Sequence, residues 1–277
     1  MQFSPHVALA FVLMVLLTAC ANEKISRNND ATLNPLPGGE IASSCADWQN
    51  QNIDTYIVEN NVWNAKGIRG YKQCVGMARS ATTGMDFAWD WSWPTSNKVR
   101  AYPEIIYGLK PWASKSTTPD LPRQVDALQS LQTHFNYEIT RNGNGNLAFD
   151  LWLTSTASRP EGATNTPLRH ELMIWLESWG TLRPFGQYRE TVRINNIDWE
   201  LYTGTATWGP KPWQYIAYRA TSPVPHQVSL DIKLFLDHLQ ARKIIDGQDW
   251  VASVELGNEI ASGQGSTRIR AFTITVK

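Results

Sequence analysis

The chain has 277 residues, with 25 Lys plus Arg against 25 Asp plus Glu, so its formal net charge is zero. A protein that grips a polyanion carries a basic footprint, and this balance argues against nucleic acid as a partner. The length suits one sandwich or barrel without a second domain, and 13 Trp are many for such a chain.

Residues 7–17 are an apolar run, too short to span a membrane as a helix and suited to the core of a signal peptide. Leu17-Thr18-Ala19-Cys20 follows and resembles a bacterial lipobox. The resemblance implies removal of residues 1–19 and a lipid on Cys20, which would anchor a soluble domain at the bacterial cell envelope, as an outer-membrane lipoprotein. Residues 1–6 contain no Lys or Arg, and a plain secretory signal cut near Ala19 is the other reading. Residues 20–44 are polar, with Asn, Gly and Pro, and are expected to form a flexible tether. The folded domain is expected over 45–277. In an exported domain Cys45 and Cys74 are expected to form a disulfide, with two free thiols as the alternative.

From Cys45 onward the pattern is one of short strands. Residues 53–63 contain β-like stretches around Tyr56, Ile57 and Val58. Residues 85–93 place Trp89, Trp91 and Trp93 on one face and Asp86, Ala88, Asp90 and Ser92 on the other. That indole row faces either a sugar or the packing beneath a loop. Residues 99–107 read as a strand closed by Gly108, and Pro111, Pro119 and Pro122 mark a long loop. The stretch 101–112, with Glu104, Tyr107 and Trp112, has no assigned chemistry. After an extended 132–140, the Asn/Gly run at 142–146 signals a turn. Residues 147–154 then alternate, with Phe149, Leu151 and Leu153 on one face and Asp150 and Trp152 on the other.

Residues 171–180 repeat that pattern. Leu172, Ile174 and Leu176 form a core face, while Glu171, Met173 and Trp175 share the reverse. An acid beside a thioether and an indole is an odd surface to leave in water, and it reads as the wall of a cleft. A hairpin is expected about Asn195-Asn196, a strand over 215–218 and one helix over 229–241, with a stripe of Leu230, Leu234, Phe235 and His238. His238 reads as a packing or capping residue. Residues 250–256 put Ala252, Val254 and Leu256 on the core side and Ser253, Glu255, Gly257 and Glu259 on the other. A last strand covers 269–276. The sum is all-β: two packed antiparallel sheets with one helix.

The five histidines make no metal-ligand motif, and there is no nucleophile elbow, P-loop or dinucleotide fingerprint. Acids and indoles remain. Glycoside hydrolysis needs two carboxyl groups flanking the scissile bond, with environments that separate their proton affinities. Glu171 and Glu259 each sit at the end of an apolar run, and Asp150 is placed to orient Glu171. A noncatalytic glucan-binding sandwich and an envelope protein with core indoles are the competing readings.

Several segments are similar to glycoside hydrolase family 12, from roughly Cys45 to the C-terminus. E-L-M-I-W-L at 171–176 resembles the family's nucleophile strand, which gives that role to Glu171. E-L-G-N-E at 255–259 resembles the acid/base segment, which gives that role to Glu259. F-D-L-W at 149–152 resembles the strand whose aspartate assists the nucleophile, here Asp150. Asn61-Val62-Trp63 resembles the segment bearing a sugar-stacking Trp, and Gln73-Cys74 with Cys45 resembles the early disulfide. The resemblance implies a β-jelly roll with a concave cleft, a retaining double displacement on internal β-1,4 bonds of cellulose or mixed-linkage glucan, and no metal or organic cofactor. Xyloglucan is the alternative substrate. The two carboxyls are then expected about 5–5.5 Å apart. Trp63, together with Trp91, Trp152, Met173 and Trp175, are the expected sugar contacts. Glu177 and Glu255 are set aside as acids displaced from the site. Ile260-Ala261-Ser262 departs from the family, many of whose members have an aromatic, proline or tryptophan there. The enzyme is expected to act as a monomer.

Overall fold

The computed structural model describes residues 42–80, 84–207 and 211–277. In chain order its strands are β1 (Ala42–Ser44), β2 (Asn50–Ile53), β3 (Tyr56–Glu59), β4 (Lys72–Ser80), β5 (Gly84–Trp93), β6 (Glu104–Gly108), β7 (Arg123–Gln124), β8 (Leu131–Arg141) and β9 (Asn144–Thr154). There follow β10 (Leu168–Trp179), β11 (Gln187–Ile194), β12 (Ile197–Ala206), β13 (Trp213–Ala220), β14 (Gln227–Asp231), the helix α1 (Lys233–Ala241), β15 (Trp250–Gly257) and β16 (Ile260–Val276). The signal segment and Cys20 lie outside the described residues. The first described strand, β1, lies just before Cys45. Ala42–Ser44 pairs with β4, and the Cys45–Cys74 disulfide forms beside that pairing. Ala-Ser-Ser has no apolar alternation to announce a strand; a distant partner makes it one.

The outer sheet runs β1-β4-β5-β16-β8-β14. The inner sheet runs β2-β3-β6-β15-β9-β10-β13-β12-β11. The long β16 leaves β9 at Ile260 and Ser262 and continues between β5 and β8, so the two sheets are joined as one curved jelly roll. Pairing is antiparallel except between β10 and β13, which run parallel. That exception to the expected all-antiparallel pattern has a topological cause. Residues 180–186 carry the chain from β10 to the far edge, and β11, β12 and β13 then fold back until β13 meets β10. The β11–β12 turn uses Asn195 (φ 52°) and Asn196 (φ 62°), the left-handed pair that a two-residue hairpin requires.

The core lies between the sheets. Phe149, Leu151, Leu172, Ile174, Val254 and Leu256 fill it from the inner sheet, as alternation predicts. Phe87, Trp89, Trp91 and Trp93 fill it from β5. The indole row is therefore packing, and Trp91 is not a cleft residue. Its ring stacks on Trp179 at 6.3 Å. Trp89 and Trp93 meet the need of a buried N–H by donating to Asn258 Oδ1 (2.5 Å) and Gln73 Oε1 (3.0 Å). The helix is shorter than expected, because Val228 and Leu230 alternate into β14 and pair with β8. Its buried residues are Phe235, Leu236 and Leu239, while Leu234 is exposed. His238 Nδ1 lies 2.7 Å from the Tyr218 hydroxyl, the packing role expected of it.

Candidate active site

Register places the acids together. On the open face of the inner sheet Glu171 stands opposite Trp152 of β9 and Tyr215 of β13, and Met173 stands opposite Asp150 and Ala217. One strand further, Ser253 and Glu255 of β15 stand opposite Trp152 and Asp150. Beneath the acids lies a second apolar cluster of Trp152, Met173, Trp175, Trp213 and Tyr215, with Ala148, Ala206 and Ala217 giving the room. Trp175 Nε1 and the Tyr215 hydroxyl both donate to Met173 Sδ at 3.5 Å, so the floor is held from two sides. Met173 and Trp175 are nearly fully buried, and the floor they form is firm rather than open.

Glu171 is buried, and burial pushes its proton affinity up. Trp213 Nε1 opposes this by donating to Glu171 Oε2 at 2.6 Å, which favours the anion. Asp150 is diagonal to Glu171 on the same face and is also raised, by burial and then by the charge of Glu171. Its Oδ1 is buried without a hydrogen-bond partner. The two neighbours titrate as a coupled pair. The Trp213 bond favours the Glu171 anion, whereas the acids around Asp150 all raise its carboxyl. Trp213→Phe keeps the ring and removes the donor. The Glu171 carboxyl then holds its proton more tightly, so the acid limb of the pH–rate profile moves to higher pH. On that limb kcat should fall about tenfold, since losing a hydrogen bond to a charged group costs about 1.5–3 kcal/mol. An unmoved acid limb would contradict this.

Glu259 follows β15 and is held by Asn146. Asn146 Nδ2 donates to Glu259 Oε2 (2.6 Å), and Asn146 Oδ1 accepts from the Glu259 backbone N–H (3.0 Å). Asn258, fully buried, holds the same turn by donating to the Asn146 carbonyl (2.6 Å). Gly145 permits the approach, since a Cβ there would lie 2.6 Å from the Glu259 carbonyl oxygen. Burial raises the Glu259 carboxyl to about 7, against the Asn146 bond that lowers it. Its charge raises Glu171 in turn, so the two carboxyls act within electrostatic reach of each other.

The stretch 101–112 supplies a third group. Lys110 Nζ lies 2.5 Å from Glu104 Oε1, 2.9 Å from Glu59 Oε1 and 3.8 Å from Glu255 Oε2. Asn61 Nδ2 also donates to Glu104 (2.8 Å), and Ser253 Oγ to Glu255 (2.9 Å). Glu255 thus belongs to the acid row and is not displaced from it. Glu177 is held by Arg141 and Tyr137. Burial holds Glu104 well above the ordinary carboxyl range, and Lys110 partly offsets this. Lys110→Met leaves three crowded acids without a cation and should cost about 3–5 kcal/mol of stability. Acids raised in the folded state contribute stability that is lost as pH rises. The melting temperature of the variant should therefore fall more steeply than the wild type between pH 5 and pH 8; parallel curves would refute the assignment.

Two indoles stand out into solvent at this end, Trp63 and Trp112, each 48% exposed. The Trp63 backbone N–H donates to Asn61 Oδ1 (3.0 Å). The Trp112 ring lies edge-on to Trp152 at 5.3 Å, with Lys110 Nζ 5.3 Å from its centre.

A buried acid pair on an indole-lined sheet face raises the question of kinship. A family model described as Glycosyl hydrolase family 12 matches residues 54–277. The chain belongs to that family. Endoglucanase S of Pectobacterium parmentieri is 31% identical over 226 residues, covering 80% of this chain and 82% of that protein. The native family 12 xyloglucanase from Bacillus licheniformis superposes with a TM-score of 0.77 at 28% identity, over 85% of this chain and 100% of that one. Endoglucanase cel12A from Rhodothermus marinus gives 0.71 at 31% identity, over 85% and 99%.

For this family 12 chain, Glu171, Asp150, Trp152, Met173 and Trp175 come together on one face as alternation expected, and Trp63 lies open at its β3 end. Trp91 does not join them. Sequence reasoning missed Trp213, Asn146, Lys110 and Trp112. Trp213, Tyr215 and Ala217 alternate on one face, so beginning the strand at Trp213 would have found the first. The Asn146 bonds span 113 residues in sequence and leave no local signal.

Proposed function

We propose that this family 12 enzyme cleaves internal β-1,4-glucosidic bonds of a β-glucan with retention of anomeric configuration. The observation that carries the reading is the pairing of two carboxyls on one open face, the buried Glu171 bonded by Trp213 and the partly buried Glu259 by Asn146. The Glu171 carboxylate attacks C1 as the Glu259 proton passes to the departing glycosidic oxygen, leaving a glycosyl ester on Glu171. The Glu259 carboxylate then takes a proton from water. That water attacks C1, and Glu171 leaves as the carboxylate. Asp150, whose carboxyl burial and its acidic neighbours push up, adds no second negative charge beside Glu171. Trp63 and Trp112 offer ring faces to glucosyl units at the β3–β6 end, and the unpartnered Trp152 Nε1 offers a donor to a sugar hydroxyl.

Unsubstituted and mixed-linkage glucan are the first substrates, by analogy with Endoglucanase S. Xyloglucan is the second reading, supported by the likeness to the Bacillus licheniformis enzyme. Reducing-end release from carboxymethylcellulose, mixed-linkage β-glucan and xyloglucan, with NMR of the first anomer formed, tests the proposal. A β-anomer product is expected. An α-anomer product, or glucan binding with no release, would overturn it. The apolar run at 7–17 and the Leu17–Cys20 segment support export, with a lipid on Cys20 holding the enzyme at the bacterial envelope, where it works as a monomer.

A further inference from the structure

The row through Asp150 does not stop at β13. Met173 stands opposite Ala217, Ala217 opposite Tyr202 of β12, and Tyr202 opposite Tyr188 of β11. Trp199 and Leu201 turn into the core, whereas Tyr202 packs on the floor cluster of the open face. The rings of Tyr188 and Tyr202 meet edge to face, with centroids 5.9 Å apart. Tyr188 is 53% exposed on the last strand of the sheet. Phe185, in the segment that crosses from β10 to β11, is 47% exposed and lies edge-on to Tyr215 at 5.7 Å. It rests on β12 at Gly204, where a Cβ would come within 2.8 Å of its ring. Gly204 is what lets that ring lie down on the sheet.

One exposed ring needs no explanation, but two exposed rings with the half-buried Tyr202, aligned with an acid row, form a patch of the kind that marks a binding surface. Strands lie about 4.8 Å apart, a spacing comparable to the length of one glucosyl unit in an extended β-1,4-glucan. A glucan crossing the strands therefore meets roughly one strand per sugar. β13, β12 and β11 are the first, second and third strands beyond Glu171. The ring faces suit the apolar faces of pyranoses. Polar groups stand beside them, since the Tyr202 hydroxyl and Arg219 Nε both donate to Glu200 Oε2, at 3.0 and 2.9 Å.

We propose that Phe185, Tyr202 and Tyr188 form an outer binding strip for β-1,4-linked glucosyl units, extending the cleft to the edge strand β11. The strip rests on the glucan-hydrolase reading above. Its test is kinetics on cellotetraose and cellohexaose with Tyr188→Ala and Tyr188→Phe, together with calorimetric binding of cellohexaose in a Glu171→Gln background. Tyr188→Ala should lower kcat/KM for cellohexaose by about threefold to tenfold, the scale of one lost ring contact, and leave cellotetraose unchanged. Tyr188→Phe should restore it, because the ring and not the hydroxyl carries the contact. Cellohexaose should bind more weakly to the Glu171→Gln, Tyr188→Ala double variant than to Glu171→Gln. Equal losses on both oligosaccharides, or unchanged cellohexaose binding, would overturn the strip. Cellohexaose binding weakened by Tyr188→Ala, with a wild-type chain that turns over neither sugar, would retain the strip and refute the hydrolase reading.

Discussion

Glu171→Gln should lower turnover of β-glucan by at least about 10³-fold while the protein stays folded. The amide carbonyl still accepts the Trp213 N–H, so the one bond that fixes the side chain survives. The variant also removes a carboxyl that burial makes costly to ionise. The sign follows from linkage. Folding raises this group above its unfolded value, so its contribution to stability is present at low pH and lost as pH rises through the folded value. The variant's melting temperature at pH 8 should therefore equal or exceed that of the wild type. A 2-deoxy-2-fluoro glucoside with a good leaving group should label the wild type on the peptide containing Glu171. A label elsewhere, or a variant that still turns over glucan, would remove Glu171 from the nucleophile role.

Glu259→Gln should behave differently on two substrates. Polymer cleavage needs a proton on the leaving oxygen, and its rate should fall by about 10²–10⁴-fold. An aryl cellobioside with a good leaving group needs no such proton. Its first step should persist, and the glycosyl-enzyme should accumulate as a burst because no base is left to activate water. Wild-type activity on polymer should fall as pH rises through about 7, where Glu259 loses its proton. On the aryl substrate the variant should show no such limb. An alkaline limb unchanged by the substitution would assign it to another group.

Alternation alone located the acid faces of β9, β10 and β15, because each of these strands buries aliphatic residues on one side only. Leu172, Ile174 and Leu176 could face only the core, which left Glu171, Met173 and Trp175 on the reverse. The same rule put the β5 indoles on one face but left open what that face meets. Three indoles can line a cleft or fill a core, and the gap between two sheets decides which. The expected helix starts too early because Leu230 fits either period, and pairing with β8 makes it strand.

By itself, the sequence determined the strand character, the disulfide pair, the Asn-Asn hairpin and the motifs around Glu171 and Glu259, all of which are local patterns. Tertiary structure alone decided the parallel seating of β13 that brings Trp213 to Glu171, the Asn146 clamp on Glu259 and the burial of Trp91. It also decided the gathering of Glu59, Glu104 and Glu255 around Lys110. Each of these depends on which distant strands become neighbours. That is settled by the joint packing of both sheets, and no window of sequence contains it.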